Sequence, residues 1–175
     1  MGLRSRTCRA HDPILDASAS TRVVMRPPRP DPRSSAAMPD RVIEELDQDT
    51  CLQLISQGGI GRIAYNSRSG PAVLPVNFAL RGGAIVFRTA AHSSLDEDLR
   101  TGIEGAEYRV AFEIDDIDLA KQLGWSVLIQ GPAHHVTPAE RDATLKGVEA
   151  WAPGERELFV RIVPSRITGR RISSV

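Results

Sequence analysis

Between Ala72 and Leu95 the chain reads A-V-L-P-V-N-F-A-L-R-G-G-A-I-V-F-R-T-A-A-H-S-S-L. Two apolar, partly β-branched runs flank Arg81-Gly82-Gly83, a compact turn signal, so the stretch predicts a β-hairpin. Pro75 removes one backbone donor from the first strand, which points to an edge, a bulge or a ligand contact. Asn77 is a lone polar group in an apolar run, either a satisfied core amide or a ligand contact. The second strand leaves through Arg88-Thr89 and a small-residue loop. Ser93 or Ser94 then caps a short helix ending near Arg100.

The pattern on either side predicts further elements. Leu46, Cys51, Leu54 and Ile55 recur at helical spacing. A helix is therefore expected over Val42–Gln57, capped by Asp47 or Asp49 and ended by Gly58-Gly59. Short apolar runs predict strands over Gly61–Tyr65, Glu107–Ile114, Gly124–Gly131, Glu157–Val163 and Arg166–Ser173. Thr137-Pro138-Ala139-Glu140 combines an N-cap, a first-turn proline and a capping-box glutamate, opening a helix towards Trp151. Asp115-Asp116-Ile117-Asp118 lacks the glycine and distal glutamate of a calcium loop and reads as a solvated acidic turn. The sum is about seven strands and three helices without regular βαβ alternation. The class is mainly β (α+β), an antiparallel barrel with peripheral helices.

Composition separates the N-terminus from the rest. Residues 1–39 hold six prolines, seven Arg and three Asp, with no sustained apolar period. They read as a disordered Arg/Pro-rich extension, or as the product of a start before Met38, and the folded domain is expected over 40–175. The chain has 22 basic and 22 acidic residues, so the domain keeps 15 and 19. That mildly acidic balance gives no support for nucleic-acid binding. Cys8 and Cys51 supply neither a disulfide framework nor a zinc spacing, and Cys51 on its apolar stripe reads as a buried thiol. No apolar run reaches about 18 residues and no secretory signal is present, so a cytoplasmic protein without a membrane partner is expected.

No nucleophile elbow, zinc-protease helix, P-loop or dinucleotide glycine motif occurs. His134 and His135 are adjacent on an extended segment and point to opposite faces, so they cannot chelate one metal. A cofactor is the expected source of any chemistry. Flavin fits, because there the protein mainly positions and tunes the ring. Arg88, Thr89, Ser93 and Ser94 offer a cation, hydroxyls and helix-start N–H groups suited to a phosphate. Asp96 and Glu97 in the same first turn oppose an anion.

The segments G-R-I-A-Y, L-P-V-N-F, V-F-R-T-A, Ser93-Ser94-Leu95, F-E-I-D and G-W-S-V-L-I-Q-G-P-A follow one another in this order. Together they resemble the pyridoxamine 5′-phosphate oxidase-like family of FMN-binding split β-barrels, in particular its small actinobacterial members, over about residues 42–173. The resemblance implies a homodimer with FMN in clefts between the two subunits. It implies Leu74, Pro75, Val76 and Asn77 along the isoalloxazine, partly through backbone groups. Arg88 and Thr89 would approach the ribityl and phosphate end, and Ser93 and Ser94 the phosphate. Ser126 would supply a polar contact from a barrel strand, with Trp125 packing at the dimer cleft. The deazaflavin F420, used by sister branches, is the alternative cofactor. The family pattern carries Lys or Arg where this chain has Ser94, a loss of roughly 1.5–3 kcal/mol if a phosphate sits there. The substrate-binding Arg and His pattern of true pyridoxamine phosphate oxidases is not recognisable near Thr168-Gly169-Arg170-Arg171. The expected function is an FMN-dependent oxidoreductase, substrate unknown. The alternative is a non-catalytic FMN or F420 carrier or sensor.

Overall fold

The computed structural model describes residues 40–100, 107–141, 145, 148, 150–151 and 153–175. The Arg/Pro-rich extension expected over 1–39 lies outside the described residues. The elements are β1 (Arg41–Leu46), α1 (Gln48–Leu54), β2 (Gly59–Ser67), β3 (Gly70–Arg81) and β4 (Ala84–Thr89). They continue with α2 (Ser94–Leu99), β5 (Tyr108–Asp118), β6 (Leu123–His135), a 3-10 turn (Pro138–Glu140), β7 (Leu158–Ile162) and β8 (Arg166–Ser174).

Every strand pairing is antiparallel, in the order β1-β8-β6-β5-β2-β3-β4-β7, and β7 pairs back onto β6. Strands β6-β5-β2-β3-β4-β7 therefore close a barrel, which removes most exposed edges. β6 makes this possible by its length. Gly124–Gln130 pair with β8, and Ala133–His135 pair with β7. The β3–β4 hairpin turns through Gly82 and Gly83 at φ 57° and 76°, left-handed values that suit a type I′ turn.

Alternation fills the barrel with Ile63, Ile85, Phe87, Phe112, Val127, Ile129, Val160 and Ile162, all fully buried. Phe112 sits among aromatic neighbours, edge-on to Phe78 at 5.3 Å and stacked on Phe87 at 6.2 Å. Truncating such a ring costs about 3–5 kcal/mol. A Cβ on Gly61 would lie 2.2 Å from Phe112 Cε1, so glycine there makes room for the ring. A second, smaller cluster packs Val86, Val136, Leu145 and Val148 with Ala79 and Phe159.

Several expectations change. The helix foreseen over Val42–Gln57 splits. Arg41–Leu46 finds a partner in β8, with Ile43 opposite Ile172, and tertiary pairing overrides the helical spacing. Only Gln48–Leu54 is helical, capped by Asp47, whose Oδ1 accepts from Thr50 N at 2.7 Å. The acidic run Asp115–Asp118 continues β5 rather than turning. Arg62 lies 3.1 Å from Asp115 and 3.0 Å from Glu113, and Asp118 accepts the N–H groups of Ala120 and Lys121. β6 runs on through both histidines. After Thr137 the capping box forms, but it starts only a 3-10 turn, and no α-helix follows among the described residues. The described residues thus form eight strands and two α-helices.

Candidate functional site

Strand β3 is paired along Gly70–Phe78 with β2, but β4 covers only Phe78–Arg81. Beyond the Phe78–Phe87 pair the two strands part. β4 turns to β7, placing Arg88 opposite Phe159 and Thr89 opposite Leu158. Among the described residues Gly70–Asn77 therefore have a strand partner on one edge only, and the other edge carries backbone groups that a ligand could meet. Pro75, lacking an N–H, suits such an edge. The register sets Pro75 opposite Arg62 and Asn77 opposite Ile60 on the outer surface. Leu74 and Val76 lie opposite Ile63 and Gly61 on the other face, where Val76 packs against the core.

A cavity of about 80 Å³ occupies this fork, lined by Pro75, Val76, Asn77, Arg88, Ala150 and Arg156. Asn77 Oδ1 accepts from Trp151 N at 2.9 Å, tying the segment before β7 across the fork. The Arg88 guanidinium lies 5.2 Å from the centre of the Phe159 ring, and Arg141 lies 5.7 Å from it. The Nε atoms of Arg88 and Arg156 are both sealed from solvent without a hydrogen-bond partner. Leaving a buried donor unpaired costs about 1–3 kcal/mol, and more on a charged group. Among the described residues, none that lines the cavity is a carboxylate.

The corner that follows β4 is organised differently. Thr89 is buried, and its Oγ1 lies 3.0 Å from Ser93 Oγ. Ser93 caps α2, donating to Ala90 O at 2.8 Å and accepting from Asp96 N at 3.2 Å. Ser94 is the exposed first residue of the helix. Asp96, only 1% exposed, accepts from His92 N at 2.8 Å and Arg100 Nε at 2.9 Å. His92 adopts φ 59° to present that N–H. His135 Nε2 stands 2.9 Å from Asp96 Oδ1, close enough for an ion pair but off the line of a hydrogen bond. Burial pushes the Asp96 carboxyl up, yet Arg100, the His92 N–H and His135 together bring it below its ordinary value. Burial dominates at His135 and holds its pKa below the ordinary value, against the pull of Asp96.

Trp125 and Ser126 lie elsewhere, on β6, in a largely apolar groove of about 430 Å³ with Ile43, Ile117, Leu123 and Ile172. Ser126 sits opposite Asp115 and Arg170. Strands β2 and β5 separate β6 from β3 along the barrel wall. One chain thus gathers Pro75, Val76, Asn77 and Arg88, with Leu74 next along the open edge. It sets Thr89, Ser93 and Ser94 in the adjoining corner and keeps Trp125 and Ser126 apart. Arg156 was not foreseen, because no local pattern marks a residue that meets Arg88 only through the pairing of β4 with β7. The Asp96–Arg100 pair had a signal in its i, i+4 spacing. A wider groove of about 570 Å³, flanked by Arg109 and Arg166, contains none of the expected site residues. Among the described residues, no group of three His, Cys, Asp or Glu could hold a metal, and no helix is long and apolar enough to cross a membrane.

The family model described as Pyridoxamine 5′-phosphate oxidase matches residues 47–171, which include both the fork and the α2 corner. The chain belongs to this family. Its split-barrel architecture agrees, with the wall parting between β3 and β4. The Mycobacterium tuberculosis protein Rv0080 is 30% identical over 144 residues, covering 82% of this chain and 94% of that protein. Among solved structures, the FAD binding protein from Mycobacterium smegmatis is similar with a TM-score of 0.54 and 27% identity, covering 74% of this chain and 98% of that one. The conserved protein DIP1874 from Corynebacterium diphtheriae is similar with a TM-score of 0.57 and 29% identity, covering 75% and 98%.

Proposed function

We propose that this family member is a flavin-dependent oxidoreductase that holds FMN at the β3–β4 fork. One observation carries the reading: where the barrel wall parts, an open strand edge meets two arginines with unpartnered donors. An isoalloxazine edge presents hydrogen-bonding groups that such a backbone can meet, and the arginines suit the anionic end. The M. smegmatis relative, an FAD binding protein by name, supports a flavin at this fold. The mycobacterial and corynebacterial relatives support a place in the small actinobacterial branch.

When bound, FMN supplies hydride or electron transfer. The chain's own residues then bind and orient. Leu74–Asn77 offer the open edge, Asn77 fixes the segment across the fork, and Arg88 faces the cofactor's charged end. The fork cavity of about 80 Å³ is well below the roughly 300–1,000 Å³ of small-molecule sites, so one chain forms only one end of a flavin site. We therefore place the cofactor between two copies of the chain in a cytoplasmic homodimer. Trp125 and Ser126 of the second copy would supply the other wall. Ile43, Ile117, Leu119 and Ile172, all exposed around that groove, give such a dimer apolar surface to bury.

The test is an absorbance spectrum of the purified protein, then fluorescence titration with FMN, FAD and F420. A flavin spectrum or micromolar FMN binding supports the reading. F420 binding alone moves the protein to deazaflavin chemistry, and binding of none removes the reading. Oxidation of NADPH or reduced F420 by the loaded protein tests turnover, and its absence with a broad donor panel makes the protein a carrier.

A further inference from the structure

We infer that the outer face of the barrel carries a second small-molecule site, in which Arg109 and Arg166 take the carboxylate of an acid with an apolar body. The site is the groove of about 570 Å³, which shares no lining residue with the β3–β4 fork. It therefore stands or falls apart from the flavin reading.

Strand register explains how the groove is assembled. Ala64 on β2 stands opposite Val73 on β3 and opposite Ala111 on β5. Ala111 stands opposite Gln130 on β6, and Gln130 opposite Arg166 at the start of β8. Residues paired in this way share a face, so the five form one row across the sheet. Arg109, two residues before Ala111 on β5, borders that row. The row is apolar at its β3 end, where Val73 is 61% exposed, and cationic towards β8. The groove's volume falls within the roughly 300–1,000 Å³ of small-molecule sites.

The cationic end is held by a fixed set of bonds. A Cβ on Gly131 would collide with Val163 O, so glycine there lets the chain after β7 cross close over β6. Val163 N donates to Pro132 O at 3.0 Å, and Ser165 N to Gln130 O at 2.9 Å. The Ser165 hydroxyl donates to the same Gln130 carbonyl at 3.0 Å and accepts from Arg109 Nη2 at 2.7 Å. Arg109 is thus positioned by a neutral hydroxyl, which leaves its charge unbalanced. Among the described residues neither Arg109 nor Arg166 has an ion-pair partner. Two guanidinium groups on one groove repel each other. A carboxylate between them removes that repulsion, and its two oxygens match the planar guanidinium fork. An apolar body extending from it covers Ala64 and Val73.

Three probes separate head from body. Octanoate has both, octanamide has the body without the charge, and acetate has the charge without the body. Each is titrated by calorimetry at low salt into the full-length wild type, Arg166→Gln, Arg166→Lys, Arg109→Gln and the control Arg171→Gln, whose residue lies near Glu44 and does not line the groove. Wild type and Arg171→Gln are expected to bind octanoate at least about tenfold tighter than octanamide or acetate. Arg166→Gln and Arg109→Gln are each expected to bring octanoate to the octanamide level, with octanamide itself unchanged. Arg166→Lys should recover part of the difference, which a folding defect would not allow. Octanamide or acetate binding as tightly as octanoate overturns the site. So does octanoate binding that survives both glutamine variants, or no binding of octanoate by wild type.

Discussion

At the fork, Arg88 and Arg156 keep sealed donors without acceptors, whereas one residue further along the chain Thr89, Ser93 and Asp96 spend their polar groups on each other and on the surrounding backbone. Both regions are partly buried and both hang from the end of β4. They differ in what is left over. The corner pairs most of its polar groups, with only His135 Nε2 beside Asp96 left without a hydrogen bond, and so contributes stability. The fork is unbalanced and would gain from a ligand. In a protein interior most buried donors find a partner, so an unmet one calls for an explanation.

The largest expected effect comes from breaking the corner. Asp96→Ala removes the acceptor of His92 N and Arg100 Nε and should lower stability by about 2–3 kcal/mol in urea unfolding, with FMN affinity intact. Arg88→Gln acts the other way round. It should weaken FMN by about tenfold or more in fluorescence titration while the unfolding midpoint changes little, since the Nε that is removed has no hydrogen-bond partner to lose. A variant that loses stability and binding together would dissolve the distinction between the two regions.

Ser93→Ala should cost about 1 kcal/mol, the usual value of a helix N-cap, with FMN affinity unchanged. Acid should loosen the corner. His135 has a folded pKa below 6.5, so as pH falls through 6.5 the unfolded chain takes up a proton that the folded chain refuses, and stability declines. Asp96, held below 3.8, adds a second loss at lower pH, as the carboxylate that the fold favours becomes protonated. Urea midpoints at pH 7.5 and 5.5 should differ less in His135→Gln than in wild type.

How much of this was legible beforehand follows from the range of each interaction. The β3–β4 hairpin, its glycine turn, the Ser93 cap and the Asp47 cap depend on neighbours within a few residues, and their residue types announce them. The barrel class followed from strand signals without βαβ alternation. By contrast, β1 hid inside a helical pattern because its partner β8 lies at the far end of the chain. Asp115–Asp118 looked like a turn because its charge partner, Arg62, belongs to β2. The site divided in the same way. Pro75 and Asn77 stood out as breaks in an apolar run, and Arg88 as a cation leaving a strand. Arg156 carried no such mark, and only the β4–β7 pairing brings its loop to the fork.

The central claim is that the open edge of β3 is where the cofactor lies. Backbone hydrogen exchange, followed by mass spectrometry with and without FMN, tests it at the residues themselves. The account predicts slower exchange across Leu74–Asn77, where the amides lack a strand partner on one side until the ligand arrives. Protection confined to the α2 corner, or exchange across Leu74–Asn77 that FMN leaves unchanged, would contradict it.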